Sequence, residues 1–286
     1  MNTKLQHFSI RKFSMGFILL RIVMISCIAF YVLPIVFSFI TSLKTTPEFY
    51  QNVWALPEKF RFENYIQAFT EGKIGEYFLN SVIIAATSLV LIQVFALSAA
   101  YALSRLKIPF ANMILVLLLV IQVLPTESMI IPLYMMLSKT GLLKLQYAAI
   151  IIGYVGWSLP GTIIILKNYF ETIPIELLEA ARIDGSGEFN TMVKIILPLM
   201  KGAMSTCFVM NFTYVWGELM WAQIATLLTD KGIPITVGLL NFQGMFTTNW
   251  PMLTAAICIV MLPLFLIFLF LQKYFVTVIM IGSVKE

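Results

Sequence analysis

Charge is scarce in this 286-residue chain. Asp, Glu, Lys and Arg make up 12% of it, about half the share in an ordinary soluble domain. There is one histidine, His7, in the polar N-terminal stretch, which argues against a histidine-based catalytic or metal centre. The three cysteines, Cys27, Cys207 and Cys258, lie in apolar runs, are odd in number and lack metal-ligand spacing. They are expected to be buried thiols packed as small hydrophobes. No G-x-x-x-x-G-K-[ST] phosphate loop occurs; Gly72-Lys73 is the nearest fragment and has no glycine five residues earlier. No internal repeat or low-complexity tract is present.

Hydrocarbon fills the chain instead: 60% of residues are hydrophobic and mean hydropathy is +0.91. The expected fold class is all-α, a polytopic membrane protein with six transmembrane helices, since a span takes about 20 apolar residues. The spans are predicted at about 22–43, 77–104, 108–138, 145–166, 202–229 and 251–272. Residues 1–21 are expected to form a cytoplasmic or interfacial N-terminal segment, 22–272 one six-helix transmembrane domain, and 273–286 a short cytoplasmic tail. The run after Ile22 is too long for a cleaved signal peptide and lacks a small-residue cleavage site.

Six spans put both termini on one side. Taking that side as cytoplasmic places 12 of the 19 Lys and Arg inside and seven outside, the expected bias. The net charge of +5 then reflects span ends and lipid rather than nucleic acid. Trp250, heading the last span, suits an outer interfacial anchor.

Within this apolar chain, residues 167–201 are a charged island on the predicted cytoplasmic face. Residues 175–183 (IELLEAARI) are good helix formers, with Pro174 at the start and Glu176 and Glu179 placed to favour the helix dipole. Gly185 and Gly187 break the helix, and a second one is predicted from Glu188 towards Pro198. Small Ala180 and Ala181 leave a face for close approach. The shape is a helix–turn–helix projection suited to docking.

The order E-A-A, three residues, G, nine residues, I-x-L-P is met by Glu179, Ala180, Ala181, Gly185, Ile195, Leu197 and Pro198. This resembles the EAA loop of the permease subunits of ABC importers. FSFITSLKTTPEF at 37–49, AAYALSRLKIPF, LPTESMIIPLYMML at 124–137 and the tail LQKYFVTVIMIGSVKE are similar to the carbohydrate-uptake branch, in particular its maltose-type second permease. The resemblance covers roughly residue 34 to the end. It implies the type I importer permease fold, with the helix around Glu179, Ala180, Ala181, Arg182, Asp184 and Gly185 coupling to an ATPase. It also implies a sister permease in a heterodimer, two ATPase subunits that bind ATP and Mg, an extracytoplasmic solute-binding protein and the bacterial inner membrane. The chain itself is then non-catalytic and holds no cofactor. Trp216-Gly217-Glu218-Leu219 departs from the usual Trp-Asn-Glu/Asp-Phe, and Val278, Met280 and Ile281 make the tail more apolar than usual.

Two acids, Glu127 and Glu218, fall inside predicted spans, and such groups are functional candidates by default. On one continuous helix Asn211, Tyr214, Glu218 and Trp221 share a face, offering an amide, a phenol, a carboxylate and an indole to a sugar path; pairing of Glu218 with the sister permease is the plainer alternative. Glu127, beside Pro125, is expected near the outer end of a kinked third helix, held by structural pairing. The ligand implied is a carbohydrate, an oligosaccharide that is neutral or acidic. The competing readings are glycerol 3-phosphate on the same machinery and an ion-coupled secondary transporter.

Overall fold

The computed structural model describes residues 15–229, 231–244 and 248–283, with the side chains of 273–283 left out. The apolar runs become long helices: α1 (Met15–Ser42), α4 (Ile74–Arg105), α7 (Ala148–Phe170) and α14 (Trp250–Ser283). Between α1 and α4 lie two short helices, α2 (Thr46–Gln51) and α3 (Glu63–Thr70). Among the described residues four helices are long and apolar enough to cross a membrane, or up to six spans if each of two bent pairs counts as one.

The third predicted span, 108–138, is not one helix. It divides into α5 (Ala111–Val123) and α6 (Thr126–Lys139), bent by 102°. Leu124 and Pro125 between them are extended, because proline lacks an N–H and disfavours helical backbone in the residue before it. The predicted fifth span, 202–229, is also broken. Helix α11 (Lys201–Gly217) stops where Glu218 turns extended, and a short α12 (Met220–Ala225) follows. The predicted N-terminal segment lies mostly outside the described residues, as do the side chains of Val278, Met280 and Ile281.

The core is built on α4 against α7, which pack along their lengths. Small residues are buried on both, Ala85, Ser88, Ala96 and Ala100 on α4 and Gly153, Ser158 and Thr162 on α7, where Gly153 lies against Trp221 and Thr162 against Asn211. Such residues matter in lipid, where packing rather than water exclusion holds helices together. One apolar cluster centres on Tyr154, Trp216 and Trp221; a second, at the other end, joins Leu97, Phe170, Leu178, Ile196 and Met200. Helix α14 packs on α1, α3 and α11. The most hydrophobic window of α1 has no buried residue, so Cys27 is exposed, contrary to the expectation of a buried thiol; Cys207 is buried and Cys258 intermediate.

Candidate functional site: a projecting helix and a cavity at the broken spans

The projecting element is α8 (Ile175–Ile183), preceded by extended Pro174. Leu178 and Ala181, one helical turn apart, are 3% and 4% exposed and face the second apolar cluster and its surroundings. Glu179, Ala180, Arg182, Asp184 and Gly185 are exposed, as is Ile183. The expectation that Ala180 and Ala181 form one open face is therefore corrected: Ala180 is presented and Ala181 is turned inward. The 3.6-residue period makes this unavoidable once Leu178 is the anchor.

The helix ends in a Schellman turn. Ser186 N–H donates to Ala181 O at 2.9 Å and Gly185 N–H to Arg182 O at 3.1 Å, with Gly185 at φ +78°. That left-handed position favours glycine. The next helix, α9 (Glu188–Thr191), continues through a π turn (Met192–Ile196) into α10 (Leu197–Leu199), so the predicted second helix towards Pro198 is present with one widened turn. Glu188 ties this segment together: its Oε1 accepts from Arg182 Nη2 at 2.8 Å and Nε at 3.1 Å, and its Oε2 accepts from the buried Tyr101 hydroxyl. Arg105, at the end of α4, donates to the carbonyls of Phe170 and Ile173 just before α8. The sequence marks Glu188 only as a helix start and Tyr101 not at all, since their meeting joins residues 87 positions apart.

The expected shared face of Asn211, Tyr214, Glu218 and Trp221 does not form, because the helix ends at Gly217. Glu218 instead caps α12: its carboxylate accepts from Trp221 N–H at 2.8 Å and Ala222 N–H at 3.1 Å, and from the Tyr154 hydroxyl at 3.0 Å. A carboxylate at a helix start satisfies orphan amides and the helix dipole. Trp221 is 0% exposed, donates to Ala149 O at 3.3 Å and lies against Gly153, so its indole belongs to the core. Glu127 stands in the first turn of α6 at the break, exposed, with no ion pair or side-chain hydrogen bond among the described residues.

Asn211 and Tyr214 do reach open space. With Gln122, Thr126, Trp157, Ser158, Gly161 and Thr162 among others, they line a cavity of about 360 Å³ where the α5–α6 break meets the middles of α7 and α11. Asn211 Nδ2 donates to Thr162 Oγ1 at 2.9 Å. Trp157 is held edge-on by Trp221, ring centroids 5.5 Å apart. Among the described residues no cluster of His, Cys, Asp and Glu is arranged to hold a metal ion.

Comparison with known proteins places this arrangement. Residues 92–279 match the family described as the binding-protein-dependent transport system inner membrane component. The chain belongs to that family. It is 34% identical over 88% of its length to the probable ABC transporter permease protein YurM of Bacillus subtilis, covering 83% of that protein. It is 32% identical to the melibiose/raffinose/stachyose import permease protein MelC of the same organism, covering 95% of this chain and 97% of that one. It is 30% identical to the diacetylchitobiose uptake system permease protein NgcG of Streptomyces coelicolor, over 85% and 80% of the two chains. Its fold is shared with a chain of a bacterial ABC transporter involved in the import of the acidic polysaccharide alginate, at TM-score 0.78 and 22% identity, over 92% and 99% of the two chains. The expected all-α permease fold is thereby established.

Proposed function

We propose that this permease works in an ATP-driven importer for an oligosaccharide, as one half of a heterodimeric path with a sister permease. A solute-binding protein delivers the sugar from outside. Two partner ATPases bind ATP and magnesium and do the hydrolysis. The observation that carries the reading is α8: a short, capped helix anchored by Leu178 and Ala181 that presents Glu179, Ala180, Arg182 and Ile183 outward. In this reading the α8 end and both termini face the cytoplasm, as the Lys and Arg bias favours. Closure of the ATPases pushes on α8, and the bundle passes between inward- and outward-facing states.

A sugar is supported by the relatives, whose names give melibiose, raffinose, stachyose and diacetylchitobiose. An ion-coupled carrier drew on Glu127 and Glu218, and Glu218 is engaged as a helix cap. The test is a reconstituted complex carrying an inactivating change in the ATPase nucleotide site. Uptake should stop, and a cysteine introduced by Ile183→Cys should cross-link to the ATPase. Persisting uptake with dead ATPases sinks the proposal.

A further inference from the structure

The cavity at the broken third span holds several polar groups that lack partners. Ser158 is 9% exposed, and its Oγ has no hydrogen-bond partner. The Gln122 amide and the Tyr214 hydroxyl make no hydrogen bond within the described chain, and Asn211, donating to Thr162, keeps its carbonyl oxygen free. A buried hydroxyl in a folded protein nearly always finds a partner, so Ser158, with the half-buried Tyr214 and the exposed Gln122 opening on the same cavity, points to something that enters it. The break itself points the same way: non-helical backbone at membrane depth is tolerated where it is buried in protein or lines a water-filled cavity, and Leu124 lines this one.

The chemistry of the walls narrows the visitor. No Lys, Arg, Asp or Glu is among the lining residues. Two acids stand near: Glu127 within electrostatic reach of Tyr214, and Glu218 on the Tyr154 hydroxyl. An anion entering here meets no cation and two like charges. The free groups are amides and hydroxyls, which donate and accept as sugar hydroxyls do. Trp157 adds an aromatic surface, positioned by the fully buried Trp221; its negative π face suits the C–H face of a sugar ring. A volume of about 360 Å³ lies at the small end of ligand pockets, roughly 300–1,000 Å³, enough for a short piece of a saccharide and not a long chain.

We propose that this cavity is a subsite for an uncharged sugar unit, in which Trp157 packs on the ring and Gln122, Ser158, Asn211 and Tyr214 meet its hydroxyls. The proposal rests on the importer reading and adds that this chain contacts the substrate itself and selects against acidic sugars.

The test uses the full importer complex in lipid nanodiscs with Met210→Cys, a cavity-lining position that is 54% exposed, in a background where Cys27, Cys207 and Cys258 are replaced and uptake is retained. The unaltered complex is first offered raffinose, diacetylchitobiose and maltotriose. The sugar it takes up is then used to protect the introduced thiol from a maleimide. That sugar should slow labelling at least fivefold and trigalacturonate should not, while in Trp157→Ala the labelling rates with and without sugar should be equal. Unchanged labelling with the imported sugar, or equal protection by trigalacturonate, overturns the subsite while the importer reading stands. If the unaltered complex imports none of the three, the importer reading for neutral saccharides fails first and this proposal falls with it.

Discussion

Arg182 and Glu188 face each other across the Gly185 turn, with Nη2 2.8 Å from Oε1. The same carboxylate takes the Tyr101 hydroxyl on its other oxygen, so one side chain joins α8, α9 and α4. As a half-exposed ion pair it is worth little, about 0–1 kcal/mol. Its importance is geometric, because with the Tyr101 bond it ties the projecting helix to the end of α4 in the core.

Removing that acceptor should hurt coupling more than folding. Glu188→Ala leaves the buried Tyr101 hydroxyl unmet, at a cost of about 1–3 kcal/mol. We expect assembly to persist and sugar uptake per ATP hydrolysed to fall several-fold, with Glu188→Gln milder. Parallel ATPase and uptake measurements on reconstituted complexes check this. An unchanged ratio of the two contradicts it.

At Gly185 the constraint is purely conformational, since an added Cβ would meet nothing within 4 Å. A non-glycine residue in the left-handed region costs roughly 1–2 kcal/mol, and asparagine less than a β-branched residue. Uptake should therefore rank Gly185→Asn above Gly185→Ala above Gly185→Val. A different order, or equal activity of all three, would show that the Schellman turn does not control the output.

Glu218 should behave as a structural residue. Glu218→Ala removes three accepted hydrogen bonds and should lower the apparent melting temperature of the complex by several degrees, given about 1–3 kcal/mol for a lost cap and an unmet buried hydroxyl. The sugar preference of the surviving complex should not change. A selective loss of one sugar with unaltered thermal stability would return Glu218 to the substrate path.

Gly153→Ala tests the packing of Trp221. The new methyl collides with an indole that is 0% exposed, and overpacking a filled core costs about 1–3 kcal/mol. The variant should express poorly or melt early, and Gly156→Ala, whose Cβ enters open space, should match the unaltered chain.

The loop after α1 carries a pH-dependent element. The Thr45 N–H donates to Glu48 Oε2 at 2.6 Å, and Glu48 N–H donates to Thr45 Oγ1. The backbone bond from Thr45, helped by its side chain, holds the Glu48 carboxyl below its ordinary range. A lowered carboxylate contributes stability above its unfolded value, near 4.3, and loses it as pH falls through the folded value. Hydrogen-exchange protection over residues 45–52, taken relative to the intrinsic rate at each pH, should be steady from pH 7 to 5 and fall below about pH 4. A loss of protection already near pH 6 would contradict the capping role.

By itself the sequence determined the class and the projecting helix. Long apolar runs leave the backbone no option but helix in lipid, and the spacing from Glu179 to Pro198 is local, so Leu178, Gly185 and Pro174 do in the structure what their types dictate. The candidate substrate face was only half legible. Asn211 and Tyr214 share a cavity wall, but Glu218 and Trp221, assigned to the same face by helical periodicity, do not join them. That periodicity failed when Glu218 exchanged its place in one helix for the cap of the next. Proline at 125 announced a bend but not its 102° size, nor that the break would open on a cavity lined by Trp157, Ser158 and Gln122. Those residues come together only because α4 and α7 pack tightly and hold α11 beside them. Tertiary contact between distant segments, which no local pattern encodes, decided where the cavity lies and that Glu188 answers to Tyr101.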